Sequence, residues 1–259
     1  MMSVNFQRES DKSFFFDICN KAVASIFDYV KSHNSFTCDL DYSRKPEMMD
    51  EVFDKSKNIS SVVYGGYTGL DLGCYPDYSL SYVIPVRGDF IREGMNCYTG
   101  KDYRETATVK KNASYLQILI ASVDEENFSM ERMLAKRSMT GLVNGYMARS
   151  RGNGTSVKIH SDLISAGYSR EMTAYHLRRI YSQQSNDDSN QIVIIGIDCD
   201  EHIESMKTII DPIEKFNESM KKYYIAKTIE DCTGSGDCSI CDDIVVCNNI
   251  RLMNKHREK

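Results

Sequence analysis

Apolar residues recur every three or four positions through Phe14, Phe15, Ile18, Cys19, Ala22, Val23, Ile26, Phe27 and Val30. That spacing predicts an amphipathic helix of about 19 residues, with Ser10, Asp11 or Ser13 as candidate caps. A loop containing Pro46 comes next, and Met48, Met49, Val52 and Phe53 predict a short second helix over 47–57. From Ser60 the pattern changes to β-branched and aromatic residues broken by glycine: Val62, Val63 and Tyr64 run into Gly65-Gly66, and Gly69 and Gly73 mark further turns. Residues 78–86 alternate as a strand. The nearly unbroken apolar run at 115–123 predicts a central strand covered on both faces.

A helix is expected next, capped by Ser129 and running through Met130, Met133, Leu134, Leu142, Val143, Tyr146 and Met147. Val157 to His160 alternate as a strand, 163–181 read as an amphipathic helix, and 191–197 form a second strongly buried strand. The segment 202–224 reads as a long helix with Pro212 inside or dividing it. Strands alternating with helices give a mixed α/β (α+β) fold. The expected organisation is an N-terminal helical segment at 1–58, one main sheet-and-helix domain at 59–228, and a cysteine-rich tail at 229–259.

Composition narrows the function classes. The chain has 259 residues, 41% of them hydrophobic and 27% charged, as in an ordinary globular protein. A formal net charge of −5 argues against a nucleic-acid binder that works by neutralising phosphates. No apolar run approaches the roughly 20 residues that span a bilayer, so no membrane association is expected. The first residues, Met1 to Asn5, open no apolar signal-peptide core, and the nine cysteines are an odd number; a reducing, cytoplasmic location is expected.

The densest chemistry lies in the last thirty residues. Cys232, Cys238, Cys241 and Cys247 fall within sixteen positions as C-x5-C-x2-C-x5-C. The inner pair has the two-residue separation that turns neighbouring thiolates toward one metal centre. Thr233 to Asp237 form a polar, glycine-bearing loop whose N–H groups could point at sulfur. Three readings stand: reduced structural thiols, a zinc site, or an iron–sulfur cluster. Zinc prefers a second close pair or a His pair, whereas here the outer cysteines stand alone and His256 is the nearby imidazole. An iron–sulfur cluster tolerates irregular spacing better.

Other chemistry is sparser. Lys136, Arg137, Arg149 and Arg151 gather around the helix expected after 129; they form either a solvated basic face complementing the helix dipole or an anion site for a phosphorylated ligand. His160, His176 and His202 are isolated and read as structural. Asp198, Asp200 and Glu201 come directly after a strand end, where α/β proteins often place function. Gly65-Gly66-Tyr67-Thr68-Gly69 lacks the lysine of a phosphate loop and reads as a tight turn.

Several short stretches occur in a telling order: Ser114-Tyr115 and the strand after it, Ala135-Lys136-Arg137, Gly145-Tyr146-Met147, Lys158-Ile159-His160-Ser161-Asp162 and Ala166-Gly167. Through them, the chain from about Tyr115 to Arg251 resembles the middle domain and the start of the metal-binding domain in the catalytic β subunit of the carbon monoxide dehydrogenase/acetyl-CoA synthase complex. Arg87 to Glu93 is similar to the stretch that leads into that domain. The resemblance implies an A-cluster beginning at Cys238 and Cys241, with Val246-Cys247 and Ile250-Arg251-Leu252 similar to the third cysteine and the stretch after it. The family spaces its third cysteine further on and has a fourth beyond it, so Cys232 is the substitute ligand here. Its distal nickel sits in a Cys-Gly-Cys, and no Cys-Gly-Cys occurs in these residues.

The resemblance therefore implies an iron–sulfur protein, [4Fe–4S] in type and without the family's nickel chelate, non-catalytic on its own and serving electron transfer, assembly or partner docking. The alternative it leaves is a subunit of a CO-methylating acetyl-CoA synthase or a related acyl-CoA or one-carbon enzyme, completed by another chain. A zinc-binding structural module is the second alternative. A protein partner is implied either way, and Lys136, Arg137, Arg149 and Arg151 become candidate contacts for the phosphates of a CoA-like ligand.

Overall fold

In a computed structural model the described residues are 9–39, 47, 49–55, 68–73, 79–87, 96–98, 112–123, 139–143, 146–151, 154–173, 175–176 and 192–230. The chain divides into two compact units, Met1–Asp211 and Pro212–Lys259. The expected mixed α/β class holds for the described residues.

The first helix, α1 (Glu9–Ser32), starts earlier than its apolar stripe, so Ser10, Asp11 and Ser13 lie inside it rather than capping it. Most of its stripe is buried, with Phe15, Cys19, Val23, Ile26 and Val30 at most 4% exposed, but Phe14, expected on that stripe, is 57% exposed and Phe16 is buried in its stead. Burying side chains of this kind contributes about 1.5–3 kcal/mol each. The helix lies against strand β3 (Ser79–Val86). Just past the end of that strand, Arg87 pairs with Asp17, and the Arg87 N–H donates to Asn20 Oδ1 at 3.3 Å. Burial pushes the Cys19 thiol far above its ordinary range, which leaves it protonated and inert. The second helix, α2 (Met49–Lys55), buries Met49 and Val52.

The described strands assemble into two sheets of five strands each. The first takes the order β1 (Thr37–Asp39), β4 (Asn96–Tyr98), β10 (Ile192–Ile197), β6 (Tyr115–Ser122), β3. It is mixed: β3 runs parallel to β6 and β10 parallel to β4, while β10 and β6, and β1 and β4, are antiparallel. The second takes the order β5 (Asn112–Ala113), β2 (Thr68–Leu72), β9 (Gly154–His160), β8 (Tyr146–Arg151), β7 (Met139–Val143), and only its β5–β2 pair is parallel.

The expected strands at 78–86, 115–123, 157–160 and 191–197 are all present. The helix expected from Ser129 through Met147 is corrected. Met139 to Val143 and Tyr146 to Arg151 form an antiparallel hairpin, with Leu142 opposite Met147 and Thr140 opposite Arg149. Leu142, Val143, Tyr146 and Met147 fit a helical spacing because two residues of sequence, Asn144 and Gly145, separate the two pairs. The part of that expectation at 129–138 lies outside the described residues. The helix expected at 163–181 is broken: α3 (Ser161–Ser165) ends at Ala166, Gly167 takes a positive φ of 104°, and helical backbone resumes at 170–173.

The two sheets face each other through β3, β6 and β9. Register sets what lies between them. Ser79, Ser81 and Val83 stand opposite Tyr115, Gln117 and Leu119, and Leu119 stands opposite Ile194. Tyr115, Leu119 and Ile194 join Leu70, Leu72, Val157, Ile159, Leu163 and Met172 in one core. Ser79 ties the layers, because its Oγ donates to the Thr155 carbonyl and accepts the Thr155 N–H at 2.9 Å. Gly69 sits where the β2–β9 register shifts, and a Cβ there would come within 2.6 Å of Ser161 Cα.

The last helix, α4 (Asp200–Glu230), holds Pro212 inside it, as expected. The boundary between the two units falls on this proline, whose missing N–H removes a hydrogen bond from the helix interior. Among the described residues no helix is long and apolar enough to cross a membrane.

Candidate functional site

The chemically richest described region is the junction where β10 ends and α4 begins. The apolar run of β10 stops at Ile197, and Asp198 is the first carboxylate after it. Arg170 reaches it from the helical turn at 170–173: Nη2 donates to Oδ2 at 2.7 Å and Nη1 to Oδ1 at 3.3 Å. The Arg170 and Asp198 side chains are only 12% and 7% exposed. Such a forked, desolvated pair fixes geometry more than it adds net stability. It locks the strand end against the segment after Gly167.

Four residues further on, His202 is buried at 9% exposure. Its Nδ1 lies 2.7 Å from Tyr29 Oη and its Nε2 lies 3.0 Å from Ser35 Oγ. Both partners are hydroxyls that can donate or accept, so either tautomer is satisfied. Tyr29 and His33 stand one helical turn apart near the end of α1 and stack at 4.0 Å between ring centroids. The His33 Nδ1–H donates to the Tyr29 carbonyl at 2.7 Å. The His33 and His202 rings lie 5.3 Å apart, and Phe36 lies 5.1 Å from His202. Burial first, and then His33 beside it, push the His202 imidazole below its ordinary range, against an opposing pull from Glu201.

This cluster holds rather than reacts. Ser35 is exposed and bonded to His202, which is the placement of a nucleophile beside a base. Both imidazole nitrogens are engaged by hydroxyls, and among the described residues no carboxylate is hydrogen-bonded to the ring to orient it as a base. The expectation that His160, His176 and His202 are structural agrees with their partners. His160 Nδ1 caps α3 by accepting the Asp162 N–H at 3.1 Å, and His176 Nδ1 lies 2.9 Å from the buried Tyr168 hydroxyl.

The residues singled out for metal and anion binding are not brought together among the described residues. Cys232, Cys238, Cys241 and Cys247 lie outside the described residues, as do Lys136 and Arg137. Arg149 and Arg151 stand two apart on β8, not at a helix C-terminus, so the helix-dipole account of that basic group does not hold for them. Register places Arg149 opposite Ser156 and Met147 opposite Lys158, so Arg149, Arg151 and Lys158 share one face of the second sheet. Lys158 is already held there by Asp71 at 3.0 Å. Among the described residues no group of three or more His, Cys, Asp or Glu side chains is placed to hold a metal ion.

Sequence reasoning missed the partners at the junction. Tyr29 and His33 carried a signal in their four-residue spacing on a helix, but nothing local pointed either of them to His202, 173 positions from Tyr29. Arg170 carried no signal toward Asp198. No family model and no curated protein matches the chain.

Proposed function

We propose that this protein is an iron–sulfur module in which Cys232, Cys238, Cys241 and Cys247 hold a [4Fe–4S] cluster, and that it serves electron transfer, assembly or partner docking rather than catalysis on its own. The observation that carries the reading is the C-x5-C-x2-C-x5-C spacing itself, four thiolates inside sixteen positions. That donor set suits iron or zinc, and the isolated outer cysteines favour the cluster. The reading stands on these residues and does not need the resemblance to the acetyl-CoA synthase β subunit. At the β10–α4 junction of the α/β body, Arg170 is paired with Asp198 and His202 is hydrogen-bonded to Tyr29. Within these 259 residues no Cys-Gly-Cys is present to chelate a second metal through backbone amides, a donor arrangement that suits nickel.

The test is metal content and colour after anaerobic purification. Broad absorbance near 400 nm with stoichiometric iron and sulfide is expected, as for cysteine-ligated iron–sulfur centres generally. Cys238→Ser or Cys241→Ser should lose the metal while most of the helical signal persists. A colourless protein holding one zinc per chain overturns the cluster, and global unfolding on metal loss makes the tail part of the folding unit instead.

A further inference from the structure

The cysteines outside the tail look scattered in sequence, yet the first sheet brings two of them together. Strands β1 and β4 pair antiparallel with Thr37 opposite Tyr98, Cys38 opposite Cys97 and Asp39 opposite Asn96. Cys38 and Cys97 are thus direct cross-strand partners from positions far apart in the chain. Directly opposed residues of an antiparallel pair have Cα atoms about 5.5 Å apart at a hydrogen-bonded site and about 4.5 Å apart at a non-hydrogen-bonded one. A disulfide needs Cα atoms about 4.4–6.8 Å apart, so either kind of site falls inside the permitted range.

The position also gives such a bond something to do. Among the described residues strand β1 is at the edge of the first sheet, is three residues long, and pairs with β4 alone. The other side of β4 is taken by β10, with Cys97 opposite Ile195. A covalent link at Cys38 would staple the weakest strand of the sheet to one anchored in its interior. It would also fix the end of the turn that carries Ser35 and Phe36 onto His202.

We propose that Cys38 and Cys97 form a reversible disulfide, a thiol–disulfide switch that fastens β1 to the sheet when oxidised and releases it when reduced. The oxidant is a low-molecular-weight or protein disulfide. One cysteine thiolate attacks a sulfur of that disulfide and expels one thiolate, and the other cysteine then attacks the mixed disulfide and expels the second. Two electrons pass from the cysteine pair to the oxidant, and the two protons lost by the cysteines end on the two released thiols. Disulfides in reducing compartments are characteristically of this transient, redox-sensing kind.

The test is to equilibrate the full, anaerobically reduced chain with mixtures of reduced and oxidised glutathione, block free thiols with an alkylating reagent, and map peptides without reduction. The expected product is a single cross-linked peptide joining the segment around Cys38 to that around Cys97, lighter by two hydrogens and abolished by dithiothreitol. It should form whether or not the tail cysteines oxidise among themselves. Cys38→Ser should leave Cys97 recovered only as its glutathione adduct or alkylated thiol, and Cys97→Ser should do the converse for Cys38. Recovery of both residues as separate adducts at every glutathione ratio, or linkage of either to another cysteine in the unsubstituted chain, overturns the proposal.

Discussion

The two sheets are built from equal numbers of strands and differ in how their faces are used. In the first, β6 reads Tyr-Leu-Gln-Ile-Leu-Ile-Ala and is buried on both sides, so residues of either parity are predominantly apolar. In the second, β9 alternates: Thr155, Val157 and Ile159 are buried while Ser156 and Lys158 between them remain partly exposed. A two-faced strand must be apolar throughout, and a one-faced strand only at every second position. The first kind announces itself in a sequence by composition, whereas the second must be found by period, and a short period-2 segment is easily masked by a chance spacing.

The sharpest way to break this comparison is to truncate adjacent residues in each strand. Ile118→Ala and Leu119→Ala, on opposite faces of β6, should each cost about 2–5 kcal/mol in denaturant unfolding. In β9 the cost should alternate, with Ile159→Ala in the same range and Lys158→Ala at about 1 kcal/mol, the latter from leaving Asp71 half-buried without its cation. Equal costs for Ile159→Ala and Lys158→Ala would mean that the second sheet is covered on both faces.

A smaller effect probes where the sheets meet. Gly73 follows β2 at φ +74°, and a Cβ there would lie 2.2 Å from the Thr155 carbonyl that Ser79 also uses. Gly73→Ala should cost about 2 kcal/mol or more, from left-handed strain plus displacement of that carbonyl. Thermal unfolding that matches the unsubstituted protein would show that the Ser79–Thr155 tie can shift freely.

The smallest expected effect is pH-dependent and belongs to His202, near the start of α4. Because the folded state depresses the His202 pKa, the unfolded chain binds that proton more readily. The stability conferred by neutral His202 is complete above the unfolded imidazole value of about 6.5. It declines as pH falls from there through the folded value. Denaturant midpoints compared at pH 7.5 and pH 5.5 should show this decline, and His202→Gln should flatten it. A decline that is unchanged in the variant would assign the acid sensitivity to other groups.

The same division governs which elements are legible in the sequence. The two-faced strands at 115–122 and 192–197 and the helices with a long apolar stripe, α1 and α4, are legible because burial on a wide surface dictates composition directly. The β7–β8 hairpin carries a signal that the helical reading passes over: Asn144-Gly145, the residue pair that favours a two-residue hairpin connection, separates Val143 from Tyr146, while Leu142, Val143, Tyr146 and Met147 satisfy a helical period as well as a strand one. Cys38 and Cys97 are legible as cysteines but not as a pair, because pairing is set by the order in which strands enter the sheet. The tail thiolates are legible only as a spacing. The Tyr29–His202 and Arg170–Asp198 contacts join residues whose own neighbourhoods are ordinary, and only the fold supplies the second partner.

The order of strands in the first sheet also constrains how the chain reaches its fold. Strand β10, at 192–197, lies between β4, at 96–98, and β6, at 115–122. During synthesis at about 5–20 residues per second, β4 and β6 emerge seconds before the strand that separates them. Until then the apolar edge of β6 has only β3 beside it, and joining β4 to β6 directly would close the gap that β10 must fill. The pairing of β6 with β10 joins segments far apart in the chain, a topology that folds more slowly than the local β7–β8 pairing of the second sheet.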